Sequence, residues 1–268
     1  MTVFQAAVLG AVQGLTEFIP ISSSGHLVIV PKLLGWEQPS VAFDVLLHTA
    51  SLLALLVYFS GDLLDLARGL GGRDRDSVRL LGLLIVGTLP AAAAGFFLRD
   101  YFTESFEDAA GAALQLLITA LILVAAEQAL RYHERKRVRE GSRLRRMRDM
   151  QIGDAGVIGV GQAISIWPGI SRSGATIGAG LALALARDDA ARFAFLLAIP
   201  ALLGATILEL PELGRASLSM SAGTAGFLVS LLTSYGAIWG LIRYLKTRTL
   251  YPFAAYCVVA GPVFYALV

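Results

Sequence analysis

The sequence predicts an all-α polytopic membrane protein made of two inverted-topology repeats, each a re-entrant helical hairpin plus three transmembrane helices. Three observations carry this: long windows without charge, two apolar stretches broken at their centres, and unequal charge on alternating loops. Only 16% of the 268 residues are charged and 56% are hydrophobic, with mean hydropathy +0.68. Soluble domains carry about 25% charged residues. Uncharged windows run Val45–Gly61 (His48 apart), Leu80–Leu98, Ala109–Ala126, Phe193–Leu208, Ala216–Ile242 and Thr249–Val268. These match the ~17–25 residues that cross a bilayer core.

Other classes are excluded early. One cysteine, Cys257, makes neither an internal disulfide nor a thiolate metal site. A net charge of +2, with basic residues in short loops, carries no nucleic-acid signature. The apolar N-terminus has no basic n-region, Lys32 being the first cation, and is expected to belong to the mature fold.

Two longer stretches, Met1–Pro31 and Ala155–Ala186, do not read as simple spans. Each holds one ion, Glu17 or Arg172, and each is interrupted, by Pro20 to His26 and by Pro168 to Gly174. Proline removes a backbone donor and glycine loosens a helix, so each stretch divides into two arms. At 1.5 Å per residue most such arms fall short of a ~30 Å core. A hairpin that enters and leaves on one side follows, its irregular tip buried in protein or facing water.

The stretches also resemble each other. At an offset of 149, Gly10, Gln13, Ile21, Ser22, Ser24 and Gly25 fall on Gly159, Gln162, Ile170, Ser171, Ser173 and Gly174. At an offset of 150, Phe43, Leu46, Leu47, Leu52 and Leu53 fall on Phe193, Leu196, Leu197, Leu202 and Leu203. The single membrane domain, 1–268, is therefore expected to divide into repeat one at 1–130, a basic cytoplasmic loop at 131–151, and repeat two at 152–268. Three spans per repeat is an odd number, so the second repeat inserts upside down. With the nine Lys or Arg of Arg131–Arg148 inside, loops 62–79, 127–154, 187–192 and 243–248 hold eighteen basic residues. Segments 32–44, 99–108 and 209–215 hold only Lys32, Arg99 and Arg215. That is a strong positive-inside bias. The two hairpins then enter from opposite faces and meet near the midplane, as in many transporters.

The first tip offers Glu17, Ser22, Ser23, Ser24 and His26, and the second offers Ser171, Arg172, Ser173 and Thr176. An ion in the membrane costs about 2.5–3.5 kcal/mol and marks function by default. Glu17 and Arg172 lie at matching depths and are expected to partner. Ser-x-Ser-Gly before an apolar arm sets free N–H groups at a helix N-terminus, which favours anions. Arg172 adds a planar fork suited to phosphate or carboxylate. His26 follows Ser23 by three residues, pairing a candidate acid/base with a candidate nucleophile. Glu17 is a candidate base, an orienter of His26, or a ligand for a divalent cation. Gln13 shares its face, four residues earlier. Plainer readings exist for each residue: serines and glycines pack helices, His48 reads as a helix-facing polar group, and His133 as a solvated one. The tip residues gain weight as a set.

At these residues the sequence resembles the undecaprenyl-diphosphatase family, bacterial membrane enzymes associated with bacitracin resistance. The (E/Q)-x-x-x-E motif appears as Gln13 to Glu17, P-x-S-S-[ST]-G-H as Pro20 to His26, and P-G-x-S-R-S-x-x-T as Pro168 to Thr176. The similarity includes Phe43-Asp44-Val45 and the basic loop. It implies hydrolysis of undecaprenyl diphosphate to undecaprenyl phosphate and inorganic phosphate, recycling the lipid carrier for cell-wall synthesis. It implies the bacterial cytoplasmic (inner) membrane, with the site open to the outer (periplasmic) face. It assigns Ser23 as nucleophile, His26 as its acid/base partner, Glu17 as orienter or metal ligand, and Arg172 as the diphosphate clamp. Ser22, Ser171, Ser173, Thr176 and Gln13 line the site. A divalent cation, Mg²⁺ or Ca²⁺, is expected, without an organic cofactor. The partners are the C55 isoprenoid diphosphate and the bilayer, a homodimer is possible, and no nucleic acid is expected. Many members carry glutamate where this chain has Gln13, which weakens any mechanism needing two carboxylates there. The rival reading is a transporter or flippase of the lipid phosphate or another anion, which would use Arg172 but not Ser23 or His26 as reactants.

Overall fold

The computed structural model describes residues 1–72, 74–97, 108–215 and 219–268, the side chains of 212–215 excepted. Arg73, Arg99 and the Arg215 side chain, all counted in the charge comparison, lie outside the described residues. Among the described residues the chain forms eleven α-helices and no strand. They are α1 (Val3–Phe18), α2 (Ser23–Leu33), α3 (Val41–Tyr58), α4 (Ser60–Gly71), α5 (Arg75–Phe97), α6 (Ala109–Arg139), α7 (Ile152–Ile164), α8 (Arg172–Ala182), α9 (Arg187–Arg215), α10 (Met220–Leu245) and α11 (Tyr251–Leu267).

Helices α3, α5, α6, α9 and α10 are long and apolar enough to cross a bilayer. The sixth window, α11, has 17 residues, at the short end of the ~17–25 range. The chain is a multi-pass membrane protein. The two interrupted stretches become the helix pairs α1/α2 and α7/α8, of 16, 11, 13 and 11 residues. At 1.5 Å per residue none exceeds about 24 Å. Helix α1 begins at a Thr2–Gln5 capping box and stops where Pro20 forces Ile19 into an extended conformation. Helix α8 begins at the Ser171 cap and ends before Ala184, whose φ is +64°.

Two segments read from sequence as loops are helical. Residues Ser60–Gly71 form α4, which buries none of its side chains and reaches α9 through the Asp62–Arg192 ion pair. Arg131–Arg139 continue α6 to 31 residues. Nothing in Arg131–Arg139 breaks a helix, since its Arg and Lys are good helix formers. Gly141, at φ +64°, follows its end. Charge placed both segments outside the bilayer but said nothing about their backbone.

Lipid tails offer no hydrophobic drive between helices, so packing rests on close backbone approach at small residues. Helix α1 lies on α10 where a Cβ on Gly10 would stand 2.4 Å from the Gly226 carbonyl oxygen. Helix α7 lies on α5 where a Cβ on Gly159 would stand 2.3 Å from the Gly87 carbonyl oxygen. The first arm of each pair thus packs on a long helix from the other half of the chain. Phe18, Phe59, Phe193, Phe195 and Leu197 centre the main core, while Phe96, Phe97, Leu121 and Leu232 project outward, as lipid-facing side chains do.

The basic end is tied by ion pairs. Glu127 is fully buried, and its carboxylate accepts from Arg187 at 2.8 and 3.0 Å and from the Leu250 N–H at 2.8 Å. One side chain so joins α6, α9 and the entry to α11. Arg187 also donates to the half-exposed Glu134 at 2.9 Å.

Unfolding of the detergent-purified protein tests both devices. Gly159→Ala forces α7 off α5 and costs ~1–3 kcal/mol, whereas Gly156→Ala on the same helix meets nothing within 4 Å and is neutral or stabilising by up to ~1 kcal/mol. Glu127→Ala leaves the Leu250 N–H without its acceptor and Arg187 with Glu134 alone and costs ~3 kcal/mol, while Glu134→Ala costs at most about 1 kcal/mol. Equal effects within either pair contradict this packing.

Candidate active site

Both interrupted stretches build the same local device. Ser22 caps α2, its hydroxyl accepting from the Gly25 N–H at 3.4 Å, and Ser171 caps α8, accepting from the Gly174 N–H at 3.1 Å. The Ser22 and Ser24 hydroxyls lie 3.3 Å apart, and those of Ser171 and Ser173 lie 3.1 Å apart. The first N–H groups of each helix have no intrahelical acceptor and present partial positive charge. Thr119 of α6 fixes the second tip, donating to the Gly169 carbonyl and accepting from the Ser171 N–H, both at 2.9 Å. The tips touch: a Cβ on Gly25 would stand 3.3 Å from Gly169 Cα.

The first tip is strained. Ser22 sits at φ +70°, ψ 103°, a conformation that costs a non-glycine residue ~1–3 kcal/mol. It persists because the flanking groups hold it. It also carries the chain across the end of α1, so that Ser23 returns onto Glu17.

Glu17 is the hub. Its side chain is buried, and Oε2 accepts from the Ser23 hydroxyl at 2.5 Å and from Gln13 Nε2 at 3.0 Å. Its Oε1 lies 3.5 Å from Arg172 Nη1 across the tip junction. His48 of α3 brings Nε2 to 3.8 Å from Oε2, its Nδ1 being 2.8 Å from the Asp44 carbonyl. Two buried atoms beside this hub, Arg172 Nη1 and Gln13 Oε1, make no hydrogen bond. Arg172 therefore offers a donor, and Gln13 an acceptor, to whatever enters. A narrow cleft lies here, lined by Glu17, Phe18, Arg172, Ser173, Thr176 and by Ala194, Phe195 and Ala198 of α9.

Of the residues picked from sequence, Gln13, Glu17, Ser23 and Arg172 form one contact set. Ser22 and Ser171 are the caps of that set, and Ser173 and Thr176 line the cleft. The Thr176 hydroxyl itself donates to the Arg172 carbonyl at 2.8 Å. His26 stands apart from the Ser23 hydroxyl: Nδ1 meets the Ser22 carbonyl and Nε2 meets Tyr256 Oη, both at 2.6 Å. Sequence reasoning gave His48 no part in the site and did not single out Thr119 or Tyr256. Asp44 and His48, four apart at the start of α3, left a detectable spacing. Nothing local marks Thr119 or Tyr256, whose contacts span 50 residues or more.

The arrangement can bind an anion at Arg172 and the two helix ends, and present a serine oxygen whose proton a carboxylate already holds. For a cation it offers hard oxygen donors: the Glu17 carboxylate, the unpartnered Gln13 Oε1 and the Ser23 hydroxyl. Among the described residues no three His, Cys, Asp or Glu side chains gather into a metal site. That set suits Mg²⁺ or Ca²⁺ only when a phosphate substrate supplies further oxygens.

Comparison with known proteins gives the chain's family. A family model described as Bacitracin resistance protein BacA matches residues 6–263. The undecaprenyl-diphosphatase of Thermomicrobium roseum is 41% identical over 273 residues, covering 98% of this chain and 97% of that protein. The undecaprenyl-diphosphatase of Methanosphaera stadtmanae is 37% identical, covering 97% and 96%, and that of Myxococcus xanthus is 39% identical, covering 97% and 87%. Alignment over nearly the whole length, both interrupted stretches included, means that the chain belongs to the BacA family of bacitracin resistance proteins, to which it is joined by these undecaprenyl-diphosphatases.

Proposed function

We infer that the chain hydrolyses undecaprenyl diphosphate to undecaprenyl phosphate and inorganic phosphate. It thereby recycles the lipid carrier for cell-wall synthesis and confers bacitracin resistance. The observation that carries this reading is the Ser23 hydroxyl on Glu17 at 2.5 Å with Arg172 at 3.5 Å on the other carboxylate oxygen. A nucleophile, its base and an anion clamp are thus assembled around one buried carboxylate.

The diphosphate takes Arg172 from Glu17, its terminal phosphoryl oxygens meeting the guanidinium fork and the amides of the two helix ends. Ser23 Oγ attacks the terminal phosphorus in line, its proton passing to Glu17 Oε2 as the anhydride P–O bond breaks. Undecaprenyl phosphate leaves. Water then displaces serine oxygen from phosphorus, Glu17 returns the proton to that oxygen and is again a carboxylate, and water's protons leave with inorganic phosphate. Catalysis of this kind is positioning plus electrostatic stabilisation. The proton partner of Ser23 in this scheme is Glu17 rather than His26, whose ring nitrogens are engaged elsewhere. A divalent cation would be held by Glu17 and Gln13 Oε1 and would neutralise diphosphate charge. Ser22, Ser171, Ser173 and Thr176 shape the pocket.

The inverted repeat belongs to the same proposal, as repeat one 1–130, loop 131–151 and repeat two 152–268. Its support is the matched caps at Ser22 and Ser171 and the matched glycine crossings Gly10/Gly226 and Gly159/Gly87. The basic loops face the cytoplasm of a bacterial inner membrane and the site opens to the outer face, a reading supported by the positive-inside bias. The C55 tail stays in lipid against the apolar outer surface. A transporter would have equal use for Arg172, but it leaves the Ser23–Glu17 contact without a task.

Phosphate release from undecaprenyl diphosphate by the purified protein, with Mg²⁺, with Ca²⁺ and with EDTA, tests the reading. Ser23→Ala and Glu17→Gln lower release by at least ~10²–10⁴, and Arg172→Ala by ~10²–10³. If Ser23→Ala only alters affinity, the transporter reading replaces this one.

A further inference from the structure

His26 is 4% exposed and both its ring nitrogens are occupied. The Ser22 carbonyl can only accept, so Nδ1 carries a proton and donates to it at 2.6 Å. Tyr256 Oη can donate, and it lies 2.6 Å from Nε2. The bonds are consistent with one neutral tautomer, protonated at Nδ1. The ring is also clamped sideways. Tyr256 stacks on it at 5.7 Å and 18°, and Phe264, two turns further along α11, meets it edge-on at 5.8 Å and 87°. Among the described residues no ion pair reaches His26, so the phenol is the one side chain that hydrogen-bonds to its ring.

What this ring holds is the strained residue. Ser22 stands at φ +70° immediately before Ser23, and its carbonyl takes the His26 side chain at 2.6 Å but the His26 N–H only at 3.4 Å. We propose that Tyr256 of α11 is a positioning residue of the active site: its O–H, donated to His26 Nε2, fixes the tautomer whose Nδ1–H holds the Ser22 carbonyl and so aims Ser23 at Glu17. Tyr256 touches no reacting atom and acts through His26. The role adds α11 to the catalytic apparatus, which the two tips alone do not. The proposal rests on the phosphatase reading for its kinetic consequence, but the tautomer does not.

Tyr256→Phe keeps the stacked ring and removes only the hydroxyl. The test pairs nitrogen NMR of isotopically labelled histidine in the detergent-solubilised full-length protein with phosphate-release kinetics. His26 in the wild type gives the Nδ1–H pattern with Nε2 as an acceptor. In Tyr256→Phe the Nε2 resonance moves toward that of a free imidazole nitrogen. With it kcat falls between about tenfold and a hundredfold, as a misaimed nucleophile requires, while KM stays within about twofold because the anion clamp is untouched. The double variant with His26→Asn is no slower than His26→Asn alone, since the hydroxyl then has nothing to act through. An unshifted Nε2, a wild-type kcat, or an additive loss in the double variant overturns the proposal. If His26→Asn fails to fold, the first two readouts decide. A wild type that releases no phosphate sinks the phosphatase reading instead, and the NMR comparison still judges the clamp.

Discussion

Two charges set where a bilayer core would lie must find each other, and the rest of the structure is arranged so that the buried Glu17 and the partly buried Arg172 do. Each alone costs about 2.5–3.5 kcal/mol at such a depth. Each also sits at the break of its own short helix pair, where backbone N–H and C=O groups need partners too. Bringing the breaks together answers both demands. Arg172 reaches Glu17, and the loose backbone is taken up by serine caps, by Thr119 and by His26. The contact is still under-satisfied, because Arg172 Nη1 makes no hydrogen bond. The partly buried guanidinium is held by a single carboxylate at 3.5 Å, which leaves it a free donor for the phosphate of the proposed reaction.

The proposed repeat explains how one scaffold yields two unlike tips. Where the first half carries Glu17, Ser23, His26, Asp44 and His48, the positions matched in the second are Ile166, Arg172, Ala175, Ala194 and Ala198. The caps and glycine crossings are common to both halves, and the reactive groups are not. In the proposed mechanism one half therefore supplies the nucleophile and its base, and the other supplies the anion clamp. Arg172 occupies the place of Ser23, so each helix start presents its own functional group to the junction.

Much of this was legible because a membrane makes sequence unusually literal. Apolar windows set the long helices, Pro20 and Pro168 set the interruptions, and an isolated ion in each stretch marked the candidate site. Glu17, Ser23, Arg172 and Gln13 were found by that logic and do converge. Backbone state outside the bilayer was not legible, since charge places a segment in water whether it is helical like Arg131–Arg139 or irregular like residues 142–146. The buried Glu127 looked like the first residue of a loop; only the fold brings Arg187 and the Leu250 N–H onto it. His26 illustrates the sharper limit. Its spacing from Ser23 suggested an acid/base pair, but a left-handed Ser22 turns the ring to the carbonyl behind it and to a phenol 230 residues away.

The central claim is that Ser23, held on Glu17 at the junction of the two tips, attacks phosphorus before water does. The stereochemical course at the terminal phosphorus tests it without requiring an intermediate to accumulate. The substrate is undecaprenyl diphosphate whose terminal thiophosphoryl group is made chiral with oxygen isotopes, and the readout is the configuration of the released thiophosphate. Two in-line displacements, one by serine and one by water, give net retention. Net inversion would mean a single direct attack by water and would contradict the assignment of Ser23 as nucleophile.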